Sequence, residues 1–180
     1  MKIGIDISQT AYQGTGVANY LKKLVEHMIA VDHENEYVLF FSSLRGSIDQ
    51  RFVKGLTGSR VTLKTYKLPP SFLSLLWNKL HIIPIENFVG DVDVFITSDW
   101  TEPPARKAKK VTILYDLIVY KFPEETDAGI IETQKKKLQW VKKESAKILC
   151  ISEATKKDAK EILGINNERL TVIYPGFSLS

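Results

Sequence analysis

With 180 residues, the chain is long enough for one domain in which roughly 70% of the unfolded surface leaves water, and it is short for two. At 44% hydrophobic and 26% charged it has an ordinary globular composition, which excludes disordered and fibrous classes. The net charge of +4 permits an acidic partner, a phosphorylated substrate or an anionic membrane face and requires none of them.

In chain order, Lys2 to Ile7 reads as a short apolar strand carrying an acid, Asp6, near its end. Ser8 to Gly16 is a polar loop closing on Gly14-Thr15-Gly16. Val17, Tyr20, Leu21, Leu24, Val25 and Met28 then recur at helical spacing, which predicts a helix from about Gly16 to Ala30. Strand, glycine-bearing loop and helix form the opening half of a βαβ unit. Glu36 to Ser42 holds a continuous apolar run, the mark of a strand covered on both faces. Leu44 to Gly55 predicts a short surface helix or irregular segment, and Val61 to Tyr66 a less central strand. Pro69-Pro70 interrupts regular structure. Ser71 is then expected to cap a helix carrying Phe72, Leu75, Leu76, Trp77, Leu80 and Ile83.

Val92 to Thr97 is another buried strand, followed by the polar and aromatic loop Ser98 to Pro104. After the basic residues Arg106, Lys107, Lys109 and Lys110 comes a strand from Val111 to Tyr115. A long connection runs from Asp116 to Asp127. The next helix, about Ala128 to Ser145, should turn Ile131, Leu138 and Val141 inward and its lysines mostly outward. Ile148 to Ile151 is a strand, and Ser152 caps a helix with Glu153 at its first position. That helix should bury Ala159, Ile162 and Leu163 and end at Gly164, with Ile165 completing the cap. Leu170 to Tyr174 is the last strand, cut short by Pro175-Gly176.

Strands alternate with helices throughout, and most strands are apolar on both faces. The expected fold is a Rossmann-like three-layer α/β/α domain with a mostly parallel sheet. Ligands of such sheets lie at the carboxyl ends of the strands. The polar residues gathered there are Asp6, Ser8, Gln9, Gly14 to Gly16, Ser98 to Glu102, Asp116, Ser152 and Glu153. Each alone has a plain structural explanation as a turn or a cap; together they predict an extended polar groove.

Other chemistries find little support. His27, His33 and His81 are scattered, so no metal site is expected. There is no nucleophile elbow and no Walker lysine, and Gly14-Thr15-Gly16 lacks the third glycine of the dinucleotide fingerprint. No motif suggests nucleic acid. The single Cys150 excludes an intrachain disulfide and fits a reducing compartment; its apolar run predicts a buried, inert thiol. The start of the chain carries no signal-peptide pattern, and no apolar run approaches the roughly 18 residues a spanning helix needs. The lysines at 135–137 and 142–143 read first as a solvated face and second as a contact for acidic lipid or a phosphorylated ligand. The segment Phe72 to Ile83 has apolar residues on more than one face, so part of it is left to meet lipid or another domain.

Three motifs in order carry a family resemblance. Gly4-Ile5-Asp6 leading to Gly14-Thr15-Gly16-Val17 and Tyr20 resembles the opening of the family 4 retaining glycosyltransferases, which have the GT-B fold. Val111 to Ile118 with Phe122-Pro123-Glu124 is similar to their histidine-aspartate-leucine and proline-glutamate segment. Ile151 to Asp158, then Val172-Ile173-Tyr174-Pro175-Gly176, is similar to the close of their N-terminal domain. The resemblance covers essentially the whole chain.

It implies one half of a GT-B fold. Residues 1–176 would be the acceptor-side domain, and 177–180 the start of the connection to a C-terminal donor-binding domain. The implied activity is transfer of a sugar, mannose being the single best guess, from a nucleotide-diphospho-sugar to a polysaccharide or lipid-linked acceptor with retention. The nucleotide sugar is a co-substrate; no cofactor is expected in this domain and no metal. The isolated domain would be inactive. By resemblance, Gly14, Thr15 and Gly16 lie against the donor phosphates or the acceptor, and Tyr115 and Asp116 stand beside the transferred sugar. Asp99, Trp100, Thr101 and Glu102 are the expected acceptor contacts. Where the family often has histidine this chain has Tyr115, which makes one hydrogen bond in each sense and carries no charge at neutral pH. A cytoplasmic location, with peripheral contact at the inner face of an anionic membrane, completes the reading. The alternative is a non-catalytic α/β module that binds a carbohydrate or a phosphorylated ligand.

Overall fold

Each apolar run of strand length becomes a strand of one sheet in the computed structural model, which describes residues 1–56, 60–98 and 100–176. The first half of the chain contains β1 (Lys2–Asp6), α1 (Gly16–Val31), β2 (Glu36–Ser42), α2 (Gln50–Leu56), β3 (Val61–Tyr66), α3 (Pro70–Leu73) and α4 (Glu86–Val89). A π-helical turn, Ser74–Lys79, continues α3. The second half contains β4 (Val94–Thr97), β5 (Lys109–Leu114), α5 (Ile118–Lys121), α6 (Ala128–Glu144), β6 (Lys147–Cys150), α7 (Glu153–Glu161) and β7 (Leu170–Val172).

Among the described residues the sheet has the order β3-β2-β1-β4-β5-β6-β7, and every neighbouring pair is parallel. The chain grows outward from β1 to β3, then returns to lay β4 on the other side of β1, with Ile3 beside Val94 and Ile5 beside Ile96. That reversal leaves a crevice beyond the carboxyl ends of β1 and β4, where doubly wound folds take their ligands.

The packing follows from the sequence pattern. β1 and β2 are buried on both faces, whereas the edge strand β3 alternates between part-buried and exposed residues. One face of the sheet packs Ile3, Ile5, Leu39 and Ile113 against Leu21 and Val25 of α1. The opposite face packs Val38, Phe40 and Phe95 against Trp77, Ile85 and Val89. There the Phe40 ring sits 5.5 Å from Tyr66, 5.7 Å from Trp77 and 5.9 Å from Phe88. Full burial of an aromatic of this size is worth ~3 kcal/mol. Gly4 is needed for closeness, since a Cβ there would fall 2.5 Å from Phe95 Cδ2.

Helix ends largely follow their expected chemistry. The Ser152 hydroxyl accepts the Thr155 N–H, and Asp127 accepts the N–H groups of Gly129 and Ile130. Gly164, at φ 64°, closes α7 by donating to the Lys160 carbonyl while Ile165 donates to Ala159.

Several expectations are corrected. Ser71 caps nothing: α3 begins at Pro70, whose fixed φ suits a first helical turn, and Pro69 stands ahead of it. The helical segment stops at Lys79, so Leu80 and Ile83 lie beyond it. Ile162 is 38% exposed at the end of α7 instead of buried. β5 ends at Leu114, which leaves Tyr115 just past the strand, and β7 ends at Val172. The short α4 and a 3-10 turn over Ser8–Ala11 were not anticipated.

Candidate functional site

The crevice between β1 and β4 collects several of the expected polar residues. Asp6 is almost fully buried, and its Oδ1 accepts the Ser8 N–H at 2.9 Å, a local turn that fixes the carboxylate. The Ser8 hydroxyl in turn accepts the Ser42 N–H at 3.0 Å, joining the ends of β1 and β2. A small cleft here is lined by Asp6, Gln9, Tyr12, Leu73, Trp100 and Thr101. Burial pushes the Asp6 carboxyl above its ordinary value, while the Ser8 bonds and the Lys137 cation oppose the shift.

The loop leading into α1 stands beside this cleft. Thr15 is the N-cap: its hydroxyl accepts the Ala18 N–H at 3.2 Å and donates to the Tyr12 carbonyl at 2.9 Å. Tyr12 lines the cleft, so the cap is tied to the crevice directly. Gly14 has φ 84°, a conformation that disfavours side chains. Gly16 has no such requirement, and a Cβ added there would meet nothing within 4 Å. The Gly16 and Val17 N–H groups precede the first capped bonds, as at any helix start, and such a start favours an anion.

On the other side of Trp100 a larger cleft of about 160 Å³ opens at the end of β5. Its polar lining is Tyr115, Asp116, Thr126, Gln134 and Lys137, and Trp100 supplies an aromatic wall. Tyr115 is mostly buried; its phenol meets the Ser98 hydroxyl at 3.1 Å, and its ring packs edge-on against Tyr20 of α1 at 5.7 Å. Asp116 is exposed and accepts the Ile118 N–H at 3.0 Å. Lys137 is buried and donates to the Ser98 carbonyl at 2.5 Å, holding the end of β4.

Glu102 belongs behind the groove, not in it. It is fully buried, and its oxygens accept the hydroxyls of Thr97 at 2.6 Å, Thr112 at 3.1 Å and Ser145 at 3.3 Å. Lys110 Nζ lies 3.2 Å from the same carboxylate and 2.7 Å from Glu144, and donates to the Pro103 carbonyl at 2.9 Å. A carboxylate with no surface and this many internal donors anchors the 98–104 loop and offers nothing to a ligand. Thr101, also buried, reaches only the small cleft. Trp100 lines both clefts. Asp99 lies outside the described residues.

The structure therefore brings Asp6, Trp100, Tyr115 and Asp116 to one edge, with the Thr15-capped helix start beside them. Ser152 and Glu153 serve α7 as cap and first turn. The residue that sequence reasoning missed is Lys137, concealed in a run of lysines. Its signal was present: it lies next to Leu138 and four residues before Val141, on the face that turns inward. Among the described residues no three His, Cys, Asp or Glu side chains gather as a metal site, and no helix is long and apolar enough to cross a membrane.

Comparison with known proteins gives a family match. The model described as Glycosyltransferase Family 4 matches residues 14–180. No curated protein is similar to the chain. Among solved structures, the crystal structure of Anabaena Alr3699/HepE in complex with UDP is similar with a TM-score of 0.49 and 16% identity. The match covers 98% of this chain and 44% of the HepE chain, so this chain spans less than two thirds of that one.

Proposed function

The chain belongs to glycosyltransferase family 4, and from that premise we propose that it forms the acceptor-side half of a retaining sugar transferase. The donor is a nucleotide-diphospho-sugar, with mannose as the transferred sugar, and the acceptor is a polysaccharide or a lipid-linked glycan. Residues 1–176 form this half; 177–180 begin the connection to a donor-binding domain that closes over the carboxyl edge. Alone, the half is inactive, because the donor's nucleotide is held by the other domain.

The observation that carries this reading is the juxtaposition of an open, Thr15-capped helix start with the clefts on either side of Trp100. Retaining transfer must stabilise a departing diphosphate and an oxocarbenium-like sugar. Backbone N–H groups at the start of α1 do part of the first task. The open space at Gly16 lets a phosphate approach the backbone closely. Trp100 offers an aromatic platform for the apolar face of a sugar, and Asp116 and Gln134 can accept or donate to its hydroxyls. Tyr115 holds its place through Ser98 and Tyr20 and so acts in positioning, with donor preference as its second effect.

The test is an assay of the polypeptide encoded by the whole gene against a panel of nucleotide sugars with lipid-linked and polysaccharide acceptors. Transfer with retained anomeric configuration is the expected result, and Trp100→Ala should raise the KM for acceptor more than that for donor. Absence of transfer and hydrolysis with every donor, together with tight binding of a carbohydrate by residues 1–176 alone, would replace the enzyme with a binding module.

A further inference from the structure

Five large apolar side chains stand exposed along one segment: Phe72 and Leu75 on α3 and its π turn, then Leu80, Ile82 and Ile83, each between 40% and 52% exposed. Leu73, Leu76 and Trp77 of the same segment are buried in the core. A helical segment apolar on both sides is ordinarily covered on both. Here the inner face is covered and the outer face is not.

The fold holds this outer face in place against local preference. His81 has φ 51° and Ile83 has φ 59°, a region that a β-branched residue strongly disfavours. The turn persists because it is clamped. The His81 ring stacks on Trp140 with centroids 3.5 Å apart, one ring nitrogen meets the Trp77 carbonyl at 2.8 Å, and the other meets Glu144 at 3.0 Å. The Trp77 indole N–H donates to the Ile83 carbonyl at 3.0 Å. The product of this strained, well-anchored turn is a pair of isoleucines facing water.

Cations stand beside the apolar face. On α6, Lys136, Trp140 and Lys143 share a side at helical spacing, and Lys143 Nζ sits 5.0 Å over the Trp140 ring. Lys79, on the π turn, acts electrostatically on Glu132, which Lys136 already binds. Glu144, at the end of α6, is engaged by Lys110 and His81. Arg106 and Lys107 are exposed beside α4, which begins just after the segment ends; there Glu86 Oε1 accepts their backbone N–H groups at 2.8 Å and 3.0 Å. The Arg106 guanidinium also bonds Asn87.

We propose that the segment Phe72–Ile83, with its flanking lysines and arginine, docks this protein on an anionic lipid bilayer. The apolar side chains enter the boundary between headgroups and acyl chains, and the cations meet lipid phosphates. A second copy of the chain fits less well, because face-to-face pairing would bring its basic flanks together. The docking segment is also fastened to the groove. Asn78 accepts the Glu102 N–H at 3.0 Å and donates to the Trp100 carbonyl at 2.8 Å, so a docked protein presents Trp100 at a fixed position relative to the membrane. Delivery of a lipid-linked acceptor to Trp100 rests on the transferase reading; the docking itself does not.

The experiment is co-sedimentation of the protein with vesicles of phosphatidylcholine alone and of phosphatidylcholine with one third phosphatidylglycerol. Binding is expected to the anionic vesicles and to be at least about tenfold weaker on the neutral ones. The triple variant Phe72→Ser, Leu75→Ser, Ile82→Ser should lose binding about tenfold or more while keeping its circular dichroism. Ile83→Gly should raise the melting temperature, because it relieves the positive φ, and still weaken binding. Unchanged pelleting of the triple variant overturns the proposal, as does absence of binding to anionic vesicles or a concentration-dependent dimer that those substitutions abolish. Trp100→Ala separates the two readings: it should pellet normally whether or not the full-length protein transfers sugar.

Discussion

Behind the 98–104 loop, Glu102, Lys110, Thr97, Thr112 and Ser145 form a closed polar knot in which every named side chain is buried. At the start of α1, Gly14, Thr15 and Gly16 are exposed and make little contact beyond the Thr15 cap. The loop stands at the carboxyl edge of the sheet, whereas the knot reaches back from Thr97 to Lys110 and Ser145 at the starts of β5 and β6; by residue type the charged knot looks the more chemical. The environment reverses that impression. A charge with all its partners inside the protein is committed to structure, whereas open backbone at a helix start is available to a ligand. The contrast predicts that damage to the knot appears first in stability and damage to the loop first in activity.

The largest effect should come from breaking the knot on one side. Lys110→Met leaves Glu102 and Glu144 without their shared cation and should lower unfolding stability by ~3–5 kcal/mol, read from urea titration. Its pH dependence sharpens the point. Burial alone would raise the Glu144 carboxyl, but the bond and charge of Lys110, aided by His81, hold it below its ordinary value. A depressed carboxylate adds stability that is present above its unfolded pKa and lost as pH falls through the folded one. The acid-side loss should therefore be shallower in Lys110→Met than in the parent.

Asp6 tests the border between the two regions. Its carboxyl is raised by burial, so its contribution to stability is fullest in acid and falls as pH rises from the unfolded toward the folded value. Asp6→Asn keeps an acceptor for the Ser8 N–H and should be as stable as the parent or more so at neutral pH, with the advantage vanishing in acid. Transfer by the full-length variant should nonetheless fall. A smaller effect concerns Cys150, whose thiol burial pushes up to about 11, with Glu153 adding and Lys156 opposing. It should resist a thiol reagent at mild alkaline pH until the protein unfolds.

The same contrast explains what could be read in advance. Continuous apolar runs announced the buried parallel strands, and β2 and β3 have the expected ends because Tyr37 to Phe41 and the edge alternation of Val61 to Tyr66 leave little freedom. Capping chemistry placed Ser152 and Gly164, whereas Thr15 was read only as part of the loop and its cap came to light in the structure. Glu102 and Lys137 were read as surface groups because residue type governs a sequence reading, while burial of a charge depends on partners remote in the chain: Ser145 and Lys110 for one, Ser98 for the other. Ser71 misled because a proline ahead of it already supplied the helix start. The turn at His81 and Ile83 was not legible, since half of its clamp, Trp140 and Glu144, lies on another helix and only Trp77 is local.

Gly16 decides between the two kinds of residue. In the full-length protein, Gly16→Leu adds a side chain where the domain itself has open space, at a helical position without positive φ. Stability should hold within about 0.5 kcal/mol, or rise slightly as the unfolded chain loses freedom. Sugar transfer should fall about a hundredfold or more, because the ligand's approach to the α1 start is blocked. Retention of full transfer, or an equal loss of folding and activity, would contradict the account and return Gly14-Thr15-Gly16 to an ordinary turn.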